Sequence, residues 1–116
     1  MPLATIDPFL FARRSPDYDC LDLVADVWEA HTGEKIRDRL ADLMRGPDRK
    51  VGRTRGQFER LPGPVDPCIV VFHSGRSDPH CGVYLRGRVL HLLGRSPEFT
   101  EPDLAARGFT NVRYFR

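Results

Sequence analysis

Residues 20 to 31 follow the period of an amphipathic helix. Cys20, Leu23, Val24, Val27 and Trp28 share one broad apolar stripe, while Asp22, Asp26 and Glu29 fall at i, i+4 and i+7 on the other side. Asp19 stands where an N-cap is needed and Gly33 where a helix stops, which predicts a helix from Cys20 to His31 with the cysteine in its first turn. A second helix is predicted from about Glu34 to Arg45, because Ile36, Leu40, Leu43 and Met44 keep helical spacing and Gly46-Pro47 ends it. Ahead of both, residues 1 to 17 hold three prolines and Arg13-Arg14-Ser15-Pro16-Asp17. They read as a lead-in with one short helical turn at Pro8 to Ala12, pinned to a core by Phe9, Leu10 and Phe11.

The second half changes period. Cys68-Ile69-Val70-Val71-Phe72, bounded by the turn-rich Leu61 to Pro67, is the β-branched and aromatic run of a buried strand. Ser74 to Pro79 follows as a loop. Gly82 to Leu85 and Arg88 to Leu93 then form two strands about a tight turn at Arg86-Gly87. The tail reads as a short helix near Pro102 to Arg107 and a last strand from Phe109 to Phe115. Between the halves, Arg45 to Arg60 carries six basic residues and little apolar content, so a solvated loop or poorly formed helix is expected. The fold class predicted is α+β, with two or three N-terminal helices packed on one face of a small antiparallel sheet.

The hairpin has a chemical consequence. With residues 86 and 87 as the turn, 82 pairs with 91 and 80 with 93, so His80 and His91 become diagonal neighbours on one face. Such neighbours have α-carbons roughly 7 to 8 Å apart, within reach of two imidazoles. Gly82, directly opposite His91, leaves room above the sheet. A three-residue loop would change the parity and separate the rings.

Composition narrows the classes. At 116 residues and 41% hydrophobic content the chain suits one domain, residues 1–116, with one core. Its 18 basic and 16 acidic residues are interspersed and leave a net charge of +2, so no strong field marks nucleic acid or membrane as a partner. No segment approaches eighteen apolar residues, and the N-terminus lacks a basic lead-in to an apolar run, so no signal peptide is expected. Cysteines at 20, 68 and 81 form neither a close metal pair nor an even disulfide set, which suits a reduced chain with a reactive thiol.

Cys20 is the candidate. A helix start offers unpaired amides and partial positive charge, and both favour a thiolate. Alone, it would read as a small buried hydrophobe, and either histidine alone as a solvated or singly bonded ring. Together they make a nucleophile (Cys20), a base that takes its proton and returns it to a leaving amine (His80), and a residue that fixes the base's tautomer (His91). A metal site drawn from Cys20, Cys68, His73, His80, Cys81 and His91 is the competing reading. Against it, Cys68 and His73 have opposite strand parity. The same triad would also serve acyl transfer or amidase chemistry.

Tyr18-Asp19-Cys20 with Leu23-Val24, the strand Ile69 to Phe72, His80-Cys81-Gly82-Val83-Tyr84-Leu85 and Arg88-Val89-Leu90-His91 together resemble the NlpC-type cysteine peptidases of the papain-like superfamily, over about residues 15 to 95. The resemblance implies a papain-like fold, the catalytic roles given above for Cys20, His80 and His91, and Tyr18 and Asp19 beside the substrate. It implies hydrolysis of an amide bond in a peptidoglycan stem peptide, with helix-start amides holding the oxyanion and with no metal or other cofactor. Small members without an export signal resemble peptidase components of phage and prophage tails. That makes the virion tail the expected location and other tail proteins the expected partners, with a tail assembly protein of little activity as the alternative. Two features depart from the family. Leu21-Asp22 stand where Ser-Gly is common, and Cys81 replaces an aliphatic residue, expected to pack in the core on the face opposite His80.

Overall fold

The computed structural model describes residues 6–45, 54–55, 58–75 and 78–116. Helix α1 spans Cys20–Thr32 and α2 spans Arg37–Arg45. Strands β1 (Thr54–Arg55), β2 (Phe58–Leu61), β3 (Cys68–His73), β4 (His80–Leu85), β5 (Arg88–His91) and β6 (Glu98–Thr100) follow, then the short helix α3 (Pro102–Ala105) and β7 (Asn111–Phe115). The strands form an antiparallel sheet in the order β1-β2-β7-β3-β4-β5-β6. The architecture is α+β.

Alternation along the strands divides the core in two. Ile69, Val71, Cys81, Val83, Leu85, Leu90 and Phe115 face α1 and α2, which contribute Leu23, Val24, Val27, Trp28, Ile36, Leu40 and Leu43 to the same cluster. Val70, Phe72 and Val89 face the other way, onto Ala105 of α3 and Phe109. The N-terminal helices therefore share one face, and the short C-terminal helix covers part of the other.

Most predicted elements appear within two or three residues of their expected bounds. Gly33 takes the left-handed conformation (φ 79°) that ends α1, and its N–H donates to the Glu29 carbonyl at 2.8 Å. Helix α2 starts later than expected, because Ile36 is buried in the core and its carbonyl accepts the first helical bond, from Leu40 N–H at 2.7 Å. The turn does hold two residues, Arg86 (φ 53°) and Gly87 (φ 81°), between the paired Leu85 and Arg88.

Three expectations need correction. Phe11 does not pin the lead-in: it is 77% exposed, while Ile6, Phe9 and Leu10 turn inward from the 3-10 turn Asp7–Phe11. The basic stretch ends in strand β2 rather than a solvated segment, since Phe58 is buried and the Arg39 guanidinium of α2 lies 5.2 Å from its ring centre. A four-residue strand with one buried aromatic leaves too short a pattern to stand out among arginines. Strand β6, absent from the sequence reading, pairs Phe99 with Leu90 and Glu98 with His91. Met1 to Thr5, the proposed stop Gly46-Pro47, the basic residues Arg49, Lys50 and Arg53, and positions 76 and 77 of the expected loop lie outside the described residues.

Candidate active site

A turn closed by reciprocal bonds between Ser15 and Tyr18 (3.0 and 3.1 Å) delivers the chain to the start of α1. There Asp19 is the N-cap: its Oδ1 accepts from Leu21 N–H at 3.0 Å and Asp22 N–H at 3.4 Å, and Asp22 Oδ2 accepts from Asp19 N–H at 2.8 Å. Arg37 bridges Asp22 and Asp26 and so ties α2 to the same turn. The Tyr18 hydroxyl donates to Asp26 Oδ2 at 2.8 Å, and burial together with that bond holds its ionisation above the ordinary tyrosine range.

These bonds hold Cys20, partly buried, as the first residue of the helix. They also change the expected oxyanion donors. Asp19 takes the amides of Leu21 and Asp22 with its carboxylate and that of Leu23 with its carbonyl, so the Cys20 N–H is the first-turn amide these bonds leave.

The imidazoles meet as the hairpin register requires. Gly82 pairs with His91, His80 lies diagonal to it, and His80 Nε2 stands 2.9 Å from His91 Nδ1. Both histidines are buried, at 6% and 3% exposure, in an aromatic enclosure. Phe109 stacks on His80 at 5.6 Å and 8°, and Phe72 contacts both imidazoles with centroids 5.4 and 6.0 Å away. Strand alternation puts these rings on the sheet face away from α1, so cysteine and imidazole approach β4 from opposite sides and meet at its first residues.

Protonation follows from this environment. Burial, then the adjacent His80, lowers His91 to about 4, so this ring is neutral near pH 7. Its Nε2 lies 4.0 Å from Glu98 Oε2 and has no hydrogen-bond partner among the described residues. A carboxylate only accepts, so hydrogen-bond logic assigns the His91 proton to Nε2, toward Glu98. His91 Nδ1 then accepts from His80 Nε2–H. The other nitrogen of His80, Nδ1, is left for the cysteine.

Cys20 departs strongly from ordinary thiol chemistry. Its thiol is lowered from 9.0 to about 4. Hydrogen bonding from the Cys81 side chain is the main cause; bonds from the His80 side chain and the Cys81 backbone and the charge of His80 add to it, against the opposing effect of burial. Cys81 was expected to pack in the core on the face opposite His80. It does, with no exposed surface, but it also interacts with Cys20. The Cys20 bond and burial push its own thiol well above the usual range. The residue after the base necessarily faces α1, and that parity was the available signal.

An open cleft of about 370 Å³ leads to Cys20. Its walls include Asp19 at the start of α1, Met44 and Arg45 at the end of α2, and Asp78-Pro79 ahead of β4. Of the residues expected beside a substrate, Asp19 lines this cleft and Tyr18 does not; the Tyr18 hydroxyl is engaged by Asp26. Cys68 and His73 stand apart from the group. Cys68 faces away from α1, with burial raising it to about 11, and His73 is lowered by burial and by Arg113 and Arg60. A second hollow of about 260 Å³, beside His31, Asp66 and Arg86, holds no cysteine.

Among the described residues no helix is long and apolar enough to cross a membrane, and no group of three His, Cys, Asp or Glu side chains is arranged to hold a metal ion. No protein-family model, no curated protein and no solved structure matches the chain.

Proposed function

We propose that the protein is a cysteine peptidase with a papain-like, NlpC-type fold that hydrolyses an amide bond in peptidoglycan stem peptides, carried in a phage or prophage tail. One observation supports the chemistry above all: a thiol lowered to about 4 in contact with an imidazole whose far nitrogen is held at 2.9 Å by a second, buried imidazole. The choice of substrate and the tail setting rest on the family resemblance.

In this reading the Cys20 thiolate attacks the scissile carbonyl carbon, and the Cys20 N–H donates to the oxyanion that forms. His80 gives a proton to the leaving amine, and the C–N bond breaks to leave a thioester on Cys20. Water, losing a proton to His80, attacks the thioester and releases the acid with the thiolate restored. His91 does not exchange protons with the substrate; it accepts from His80 Nε2–H and so keeps Nδ1 aimed at the sulfur.

The test is digestion of purified peptidoglycan followed by mass spectrometry of the released peptides. Wild-type protein releases a defined product and Cys20→Ala does not. Equal release by both proteins, or none from a folded wild type assayed from about pH 5 to about pH 8, would reject the hydrolase. The second reading is a tail assembly protein that keeps the fold with little activity. The Asp19 carboxylate favours it, since it holds two amides that a stronger oxyanion site would use.

A further inference from the structure

Cys81 is more than a filler beneath the helix. It is fully buried, it lies on the α1 side of β4 opposite Val71 in the cluster that Cys20 packs against, and it is the strongest side-chain partner of Cys20, which lines an open cleft. One sulfur of the pair therefore meets solvent, and the other is reached only through its partner.

We infer that Cys20 and Cys81 form a reversible intramolecular disulfide when a small hydroperoxide enters the cleft, with Cys20 as the oxidised thiol and Cys81 as the resolving one. The chemistry balances in two steps. The Cys20 thiolate attacks one oxygen of hydrogen peroxide; the O–O bond breaks, hydroxide leaves, and Cys20 becomes a sulfenic acid. Cys81 sulfur then attacks the Cys20 sulfur, the S–O bond breaks, and the departing hydroxide takes the Cys81 proton to leave as water. Two thiols are oxidised and one peroxide is reduced to two waters. A dithiol reverses the bond by exchange at the Cys20 sulfur, the one facing the cleft.

The environment suits each role. Cys20 is ionised at neutral pH, as the attacking thiol must be. Cys81 is held protonated by its interaction with the Cys20 side chain and by burial, with the Cys20 charge adding to both. Cys20, the member of the pair with the cleft beside it, has room to move toward the bond length of about 2.05 Å. Cys68, on the other face of the sheet, takes no part.

The disulfide stands without the hydrolase reading; only its effect, silencing the nucleophile, rests on that reading. The experiment treats the full chain with hydrogen peroxide, then denatures it, alkylates free thiols and maps peptides by mass spectrometry. Expected are loss of alkylation at Cys20 and Cys81, retention at Cys68, a linked peptide pair joining residues 20 and 81, and full reversal by dithiothreitol. In Cys81→Ser, Cys20 proceeds instead to sulfinic acid. Sulfinic acid at Cys20 of the wild type with Cys81 still reduced, or an intermolecular Cys20 disulfide, overturns the inference. The wild-type peptide map decides alone should Cys81→Ser fail to fold. Activity is a separate readout: an inactive protein that forms the linked pair upholds the disulfide while the hydrolase fails. An active one that forms none rejects the disulfide alone.

Discussion

His80 and His91 are joined Nε2 to Nδ1 at 2.9 Å although neither is the other's direct partner in the β4–β5 ladder; the position opposite His91 belongs to Gly82. The diagonal contact lets one imidazole set the proton of the other. His91→Ala should remove that control while leaving the Cys20 contacts with Cys81. The expected result is a fall in kcat of about 10²-fold or more, within the range of acid–base contributions, with KM little changed. A thiol probe should still label Cys20 at neutral pH. Unchanged kcat would remove His91 from the site.

Gly82 is required by space rather than by dihedral angle. A Cβ there would lie 2.8 Å from Val89 Cγ1 and 3.0 Å from both the His91 Cβ and the Leu90 carbonyl oxygen. Gly82→Ala should therefore cost about 1–3 kcal/mol of stability, as overpacking does, and displace His91. Denaturant unfolding measures the first effect, and loss of the imidazole hydrogen bond in histidine NMR spectra the second. A variant of wild-type stability with the bond intact would show that the ladder yields freely.

Stability should rise with pH over a wide range. Between about 4 and 6.5 the unfolded chain holds a proton on His91 that the folded chain lacks, and between about 4 and 9.0 it holds one on Cys20 that the folded chain lacks. The unfolded state binds more protons in both windows, so unfolding free energy increases with pH, more steeply below 6.5 than above. Tm followed from about pH 5 to about pH 8 checks the slope. His91→Gln should flatten its lower part, and Cys20→Ser the contribution that continues above 6.5. A profile that falls as pH rises through neutrality would contradict the Cys20 assignment, and a lower part that His91→Gln leaves unchanged would contradict that of His91.

Asp19 serves the helix and crowds the oxyanion position together. Asp19→Ala should lose about 1 kcal/mol, the usual value of an N-cap, and fray the turn that carries Cys20. Asp19→Asn keeps an accepting oxygen and should recover most of that stability. Comparing the two by thermal unfolding separates cap from charge; equal losses would show that the carboxylate charge, not the cap bond, holds the turn.

Much of this arrangement was legible in local patterns. The stripe from Cys20 to Trp28, with Asp19 before it and Gly33 after it, defines α1 because capping and helical period act within a few residues. The two-residue turn at Arg86-Gly87 fixes strand parity, and parity alone puts His80 and His91 on one face. The strand at Phe58 was not legible, because its ladder partners are a two-residue strand just before it and the last strand of the chain. Nor was the stacking of Phe109 on His80, which comes from the loop between α3 and β7.

The amino-acid order by itself determined the helix that bears the thiol, the hairpin that bears the imidazoles, and the faces on which Cys81 and His80 lie, since each is set by short-range periodicity and turn geometry. Only the tertiary structure decided that β7 enters between β2 and β3, that α1 docks with its first turn against Cys81, and that Asp19 occupies amides the chemistry would use. Those are contacts between elements far apart along the chain. Strand order and helix docking create them, and no local period encodes either.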